Sequence, residues 1–194
     1  MLRLTPVVRN LVIINVIVFI LQSMIPNITE LISLWNPESE LFKPYQLFTY
    51  MFAHADIFHI FFNMLVLSST APILENYWGQ KKFLTFYLVT GIGAGVFHLL
   101  INLFLFDGIT YGSMLGASGA VYGVLMGFGM MFPNMEMRLL IPPVAIKAKY
   151  LVWVLGAITF LLCGAGVAHF AHLGGIIFAF ILLRIWRHKN GTYF

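Results

Sequence analysis

Charge is what this chain has least of. Asp, Glu, Lys and Arg make up 9% of its 194 residues, against 60% apolar residues. Soluble domains carry about a quarter charged residues, so no conventional water-facing surface can be assembled from this composition. Cysteine is nearly absent, and the lone Cys163 excludes both an internal disulfide framework and a thiolate zinc cluster. No H-E-x-x-H string occurs, which removes the signature of a helical zinc peptidase. Repeats, low-complexity tracts and flexible linkers are also missing, so residues 1–194 read as one domain. The net charge of +4 hints at nucleic acid only until the positions of the charges are considered.

What the chain does have is long apolar runs, over 11–25, 57–74, 83–106, 114–132, 150–168 and 170–186. A helix needs about 20 residues, and at least ~17, to cross a hydrocarbon core. The ten-residue alternation of a membrane β-barrel is not seen. The predicted fold is therefore all-α: a polytopic membrane protein built as a bundle of six transmembrane helices. The boundary between the last two rests on Gly164 and Gly166. The first run follows Arg3 and Arg9 like a secretory signal, but no small-residue cleavage pattern follows it, so it is expected to stay as a helix.

Six spans put the N-terminus, the 75–82 loop, the 133–149 loop and the C-terminus on one side. That side collects Arg3, Arg9, Lys81, Lys82, Arg138, Lys147, Lys149, Arg184, Arg187 and Lys189, whereas the other side keeps Lys43 alone among basic residues. Such asymmetry places both termini in the cytoplasm and accounts for the basic pI without nucleic acid as a partner. The expected surroundings are a lipid bilayer, and the pattern suggests a bacterial plasma membrane. On the outer side, the 26–56 loop mixes apolar and acidic residues and is expected to form short amphipathic pieces on the membrane. Small residues four apart (Gly91 and Gly95; Gly119, Gly123 and Gly127; Gly175 and Ala179) predict close helix packing.

Polar residues inside spans are functional candidates by default. Asn63 lies six residues into the second span and His172 six residues after Gly166, each ~9 Å deep at 1.5 Å per residue. His59 is one turn above Asn63. From Ser118 to Phe132 there is only ~22 Å of helix, too short for a ~30 Å core, so Ser118 opens its helix roughly 8 Å inside the membrane. The preceding 108–117 segment is then a loop dipping inward, tolerated only where it is buried or lines an aqueous cavity. Ser118, His172, His59 and Asn63 converge on one level. A serine hydroxyl needs a base within hydrogen-bond reach, which His172 supplies. The free N–H of a helix-opening Ser118, with His59 and Asn63, would meet an oxyanion. Gly116 and Gly119 allow close backbone approach. With no acid at this depth, the expected set is a Ser–His dyad. Gly116-Ala-Ser-Gly-Ala120 is not the G-x-S-x-G elbow of soluble hydrolases, because Ala120 stands at the last glycine.

These strings together resemble the rhomboid intramembrane serine proteases. His59-Ile-Phe-Phe-Asn63 is similar to the family's oxyanion pair, Gly116-Ala-Ser118-Gly119 to its nucleophile motif, and Ala171-His172-Leu-Gly-Gly175 to its catalytic-histidine motif. They fall in order on the second, fourth and sixth spans, and the resemblance covers nearly the whole chain, as the minimal six-helix form. It implies hydrolysis of a peptide bond in or near the transmembrane segment of a membrane-protein substrate, with no cofactor and no metal. It assigns Ser118 as nucleophile and His172 as base and then acid. His59, Asn63 and the Ser118 N–H would form the oxyanion hole, and Tyr122 matches an aromatic packed on the imidazole. His54 matches a further histidine before the oxyanion pair, and Glu75 and Gly79 match a cytoplasmic turn. Substrate entry is implied near the second and fifth spans. Two departures are Trp35-Asn36 where a Trp-Arg pair is common, with altered loop bonding expected, and Ala179 for a frequent glycine, with slightly wider spacing of the fourth and sixth helices expected.

Plainer roles compete at each position. Ser118 alone reads as a helix cap, Asn63 as interhelical glue, His54 equally as structure, and His98 and His169 as packing. The methionines read as adaptable core filling. Two other functions compete with the protease: an inactive rhomboid-like protein that binds membrane helices, and a metal carrier using His54, His59, His169 and His172. Neither explains the Gly116–Gly119 string.

Overall fold

The computed structural model describes residues 4–105, 112–139, 143–163 and 168–190. In chain order the helices are α1 (Pro6–Met24), α2 (Ile28–Ile32), α3 (Gln46–Thr49), α4 (Ile57–Trp78), α5 (Gln80–Leu105), α6 (Ser118–Met131), α7 (Ala148–Cys163) and α8 (Ala168–Asn190). A 3-10 turn, Tyr50–Phe52, follows α3, and strands β1 (Glu136–Arg138) and β2 (Ala145–Lys147) precede α7. The protein is mostly helical. Four helices (α1, α4, α5 and α8) are long and apolar enough to cross a membrane. The fourth and fifth expected spans are shorter, at 14 residues in α6 and 16 in α7. Helix α6 begins at Ser118, the start that the depth arithmetic takes for it. Gly164 and Gly166 lie outside the described residues, as do 108–111 of the inward loop.

The surface is apolar where a soluble protein would be charged. Phe58, Phe61, Phe62, Phe104, Trp153 and Leu161 are all more than half exposed. Conversely Asn15, His98 and Asn102 are buried. Apolar exposure on this scale fits a lipid-facing exterior, and the chain is an integral membrane protein. Helices α5, α6 and α8 form the tightly packed centre; α4 and α7 flank α6 on either side and hardly touch each other.

Three features differ from the sequence reading. The 75–82 loop shrinks to Gly79, because α4 continues through Trp78 and α5 starts at Gln80. Gly79, at φ 79°, supplies the reversal that a side chain would resist. The 133–149 loop contains a hairpin, with Glu136 opposite Lys147 and Arg138 opposite Ala145; its strands are too short to show a period of two. Third, the bonding of the 26–56 loop is centred on Gln46, a residue to which the sequence reading gives no role. Buried Gln46 uses both functions of its amide: Nε2 donates to the carbonyls of Leu31 and Leu41, and Oε1 accepts from the N–H groups of Trp35 and Lys43. Short pieces do form in this loop, as α2, α3 and the 3-10 turn, but the 3-10 turn is buried on every side and the buried residue of α3 is the polar Gln46.

At the opposite end of the bundle, Glu75 closes the start of α1. Its carboxylate accepts from the Thr5 hydroxyl and from the N–H groups of Val7 (3.0 Å) and Val8 (2.9 Å). Those amides belong to the first turn of α1, which has no intrahelical acceptor for them, and α1 lacks a side-chain cap of its own. Glu75→Ala should therefore strand two buried-side amides and cost about 2–4 kcal/mol. An unchanged unfolding midpoint in detergent for that variant would show that α1 is held by packing alone.

Candidate active site

Ser118 is the first residue of α6, and His172 lies in the second turn of α8. Their side chains meet, with His172 Nε2 at 2.9 Å from Ser118 Oγ. Two short side chains can touch only if their helices come into backbone contact, and Gly119 and Gly175 provide that contact. A Cβ on Gly175 would fall 1.9 Å from the carbonyl oxygen of Gly119, and one on Gly119 would fall 2.6 Å from Ala94 Cβ. At this level the helices have no slack, whatever spacing buried Ala179 imposes one turn further on.

One turn after Ser118, the Tyr122 ring stacks on the His172 imidazole, centroids 4.3 Å apart and planes 16° from parallel. The Tyr122 hydroxyl reaches Thr159 of α7 at 2.8 Å.

From the other side comes the first turn of α4. Asp56 caps it, accepting from the N–H groups of Phe58 (2.8 Å) and His59 (2.9 Å). His59 Nδ1 accepts a long hydrogen bond from the Ala55 N–H, at 3.4 Å, which assigns the ring proton to Nε2. That Nε2 edge lies against Gly116: a Cβ there would come within 2.8 Å of His59 Nε2 and 3.7 Å of Ser118 Oγ. With φ at +124°, Gly116 is excluded from carrying a side chain twice over. Asn63, one turn beyond His59, is buried and donates through Nδ2 to the His59 carbonyl at 3.1 Å. An amide nitrogen carries two N–H groups, so one is left for another acceptor.

His54 sits behind His59, its ring edge-on at 5.0 Å between centroids, and is 2% exposed. Its backbone is clamped by Gln22 of α1, which accepts from the His54 N–H (2.9 Å) and donates to the His54 carbonyl (3.1 Å). His169 stands beside His172, ring to ring at 6.0 Å, and 5.1 Å from Phe160 of α7. His98 is elsewhere, paired with Asn102 one turn along α5 at 3.0 Å.

The loop entering α6 is stitched to the 26–56 loop. Met114 and Leu34 exchange N–H···O bonds of 2.8 Å, and the Gly116 N–H donates to the Tyr50 carbonyl at 2.9 Å. The sequence reading missed Asp56, Gln22 and Thr159. Asp directly before an apolar helix is a recognisable N-cap signal; a Gln at a helix end and a Thr inside an apolar run carry none.

A rhomboid domain model matches residues 41–189. The chain belongs to the rhomboid family. It is 33% identical over 131 residues to the mitochondrial rhomboid protein 1 of Saccharomyces cerevisiae, covering 64% of this chain and 36% of that one. It is 30% identical over 172 residues to the human mitochondrial presenilin-associated rhomboid-like protein, covering 80% of this chain and 42% of the relative. Against rhomboid-like protease 3 of Toxoplasma gondii the identity is 26% over 143 residues, 74% of this chain and 52% of the relative. This rhomboid chain thus spans well under two thirds of the length of these curated relatives.

Two predictions follow from the geometry. Gly175→Ala must push α8 away from the Gly119 carbonyl, at a cost of about 1–3 kcal/mol of overpacking; an unfolding midpoint equal to the native one would contradict the contact. His54 is one pH-sensitive element. Burial, and then the neighbouring His59, pushes its pKa from the ordinary 6.5 down to about 4. The unfolded chain binds this proton more readily than the folded one, so stability is complete above pH 6.5 and drains as pH falls toward 4. The fall should be on the order of 3 kcal/mol and should flatten in His54→Phe; equal slopes in both proteins would assign the acid sensitivity to another group.

Proposed function

We propose that this rhomboid chain is an intramembrane serine endopeptidase that hydrolyses a peptide bond in or near the transmembrane segment of membrane-protein substrates. The observation that carries the reading is the 2.9 Å contact between Ser118 Oγ and His172 Nε2. In the proposed reaction, Ser118 Oγ attacks the scissile carbonyl carbon while His172 Nε2 takes the hydroxyl proton. The carbonyl π pair moves onto oxygen, where the Ser118 N–H, the His59 Nε2–H and the spare Asn63 N–H donate to it. The C–N bond then breaks, and the leaving amine takes the proton from His172. Water attacks the resulting ester, giving one proton to His172 and, on collapse, returning Ser118 as the hydroxyl. Tyr122 keeps the imidazole plane fixed, and His54 supports His59 from behind.

We read residues 1–194 as one domain of six spans, with α6 and α7 as its two short ones. The distribution of Lys and Arg supports both termini in the cytoplasm of a bacterial plasma membrane; the mitochondrial names of two relatives are theirs. The sparse contact between α4 and α7, both of which carry exposed aromatic residues, supports lateral entry of a substrate helix from the bilayer. One relative is named a protease and two are not, which keeps a helix-binding protein without catalysis as the second reading. Against it, Ser118 and His172 are both present and in contact. The metal-carrier reading has less support, since among the described residues no three His, Cys, Asp or Glu side chains gather to hold an ion.

The test is cleavage of a single-span substrate in liposomes, with labelling by a serine-reactive fluorophosphonate. Ser118→Ala should abolish both, and His172→Ala should lower turnover by roughly a thousandfold or more. Native-like cutting by folded Ser118→Ala would end this reading. If the native protein binds the substrate helix but neither cuts it nor takes the label, the binding reading replaces it.

A further inference from the structure

We propose that Thr159 is a positioning residue for His172, acting through the Tyr122 hydroxyl; the proposal rests on the serine-peptidase reading above. The chain of contacts is short. The Tyr122 ring lies flat on the imidazole at 4.3 Å, and its hydroxyl is 2.8 Å from Thr159 Oγ1. Thr159 Oγ1 also donates to the Leu155 carbonyl one turn back, at 2.8 Å. A threonine hydroxyl has one proton. Having given it to Leu155, Thr159 offers Tyr122 a lone pair, and the phenol is the donor. The back-bond locks the Thr159 rotamer, so this acceptor is fixed in space.

The ring has one path to that acceptor. It crosses α7 at Gly156, where a Cβ would lie 3.8 Å from Tyr122 Cε1, ordinary van der Waals contact with nothing between. Helix α7 buries Ala148, Leu151 and Val152. It packs on α6 and on the strand before it, while Trp153, Phe160 and Leu161 point outward. The Tyr122–Thr159 bond is thus a polar tie, at the level of the reacting groups, between the helix that carries Ser118 and a flanking helix. Without it the phenol loses its polar tie to α7, and the imidazole stacked on the ring loses a fixed wall that sets its plane relative to Ser118 Oγ.

The experiment compares the native chain, Thr159→Val, Thr159→Ser, Tyr122→Phe, the Thr159→Val/Tyr122→Phe double variant and Ser118→Ala in liposomes. It reads kcat and KM on a single-span substrate, the fluorophosphonate labelling rate and the unfolding midpoint. Thr159→Val and Tyr122→Phe should each lower kcat roughly ten- to hundredfold, the scale of a misplaced catalytic group, with KM little changed. The double variant should be no worse than the poorer single one, because both remove the same bond. Thr159→Ser, which keeps the acceptor, should restore turnover. Labelling should slow in step with kcat, since a small probe reads Ser118 activation without lateral entry of a helix. Native labelling rates in Thr159→Val, multiplied losses in the double variant, or a Thr159→Ser as poor as Thr159→Val would each overturn the proposal. If turnover survives in Ser118→Ala, the peptidase reading itself falls; turnover that needs Ser118 but ignores Thr159 removes this proposal alone.

Discussion

Everything at the candidate site depends on one backbone contact, between Gly119 in α6 and Gly175 in α8. Lipid tails are as apolar as leucine, so burying apolar surface gives membrane helices little reason to choose one partner over another. Close approach of small residues supplies dispersion contacts that bulky side chains would hold apart. Here the approach is near its limit, since a single methyl on Gly175 would occupy the Gly119 carbonyl. Ser118 precedes Gly119 by one residue and His172 precedes Gly175 by one turn, so the contact that packs the two helices also sets the distance between their polar side chains.

A second constraint is polar satisfaction. Non-helical backbone in an apolar setting must find its hydrogen bonds within the protein. The 26–56 loop and the loop entering α6 do this for one another through Leu34 with Met114 and Tyr50 with Gly116. Gln46 and Gln22 add side-chain amides that serve backbone groups on both their donor and acceptor sides. Glu75 does the equivalent at the far end, for the open first turn of α1. Long polar side chains in this protein are thus spent chiefly on backbone, which explains how so few of them suffice.

The legible part of the sequence was the part written in short range. Apolar runs locate every long helix, and α6 opens at Ser118 inside the 114–132 run. Spacing and residue type pick out Ser118, His172 and His59, the family resemblance adds Tyr122, and the fold brings the four together. Helix ends were less legible: Glu75 reads as a loop acid because its partners, Thr5, Val7 and Val8, lie almost 70 residues away. Gln46 carries no sequence signal for a similar reason. An amide looks the same in a sequence whether it faces water or closes a loop, and only the chain's path distinguishes the two. Thr159 was silent because a hydroxyl in an apolar helix can always bond its own helix, and its second bond, to Tyr122, depends on how α7 rotates.

The unevenness of the packing has a physical logic. Tight contact among α5, α6 and α8 fixes Ser118 relative to His172. On the peptidase reading proposed above, a substrate helix would enter from the bilayer beside α7, whose outer face carries exposed Trp153, Phe160 and Leu161. Helix α7 would be a poor support for catalysis if it only leaned on α6. A hydrogen bond is different from apolar contact because it is directional and is lost over a fraction of an ångström. By ending on Thr159, the Tyr122 phenol ties the alignment of its ring to the seating of α7 on α6, so under the proposed reading one helix would both border substrate entry and hold the ring stacked on His172.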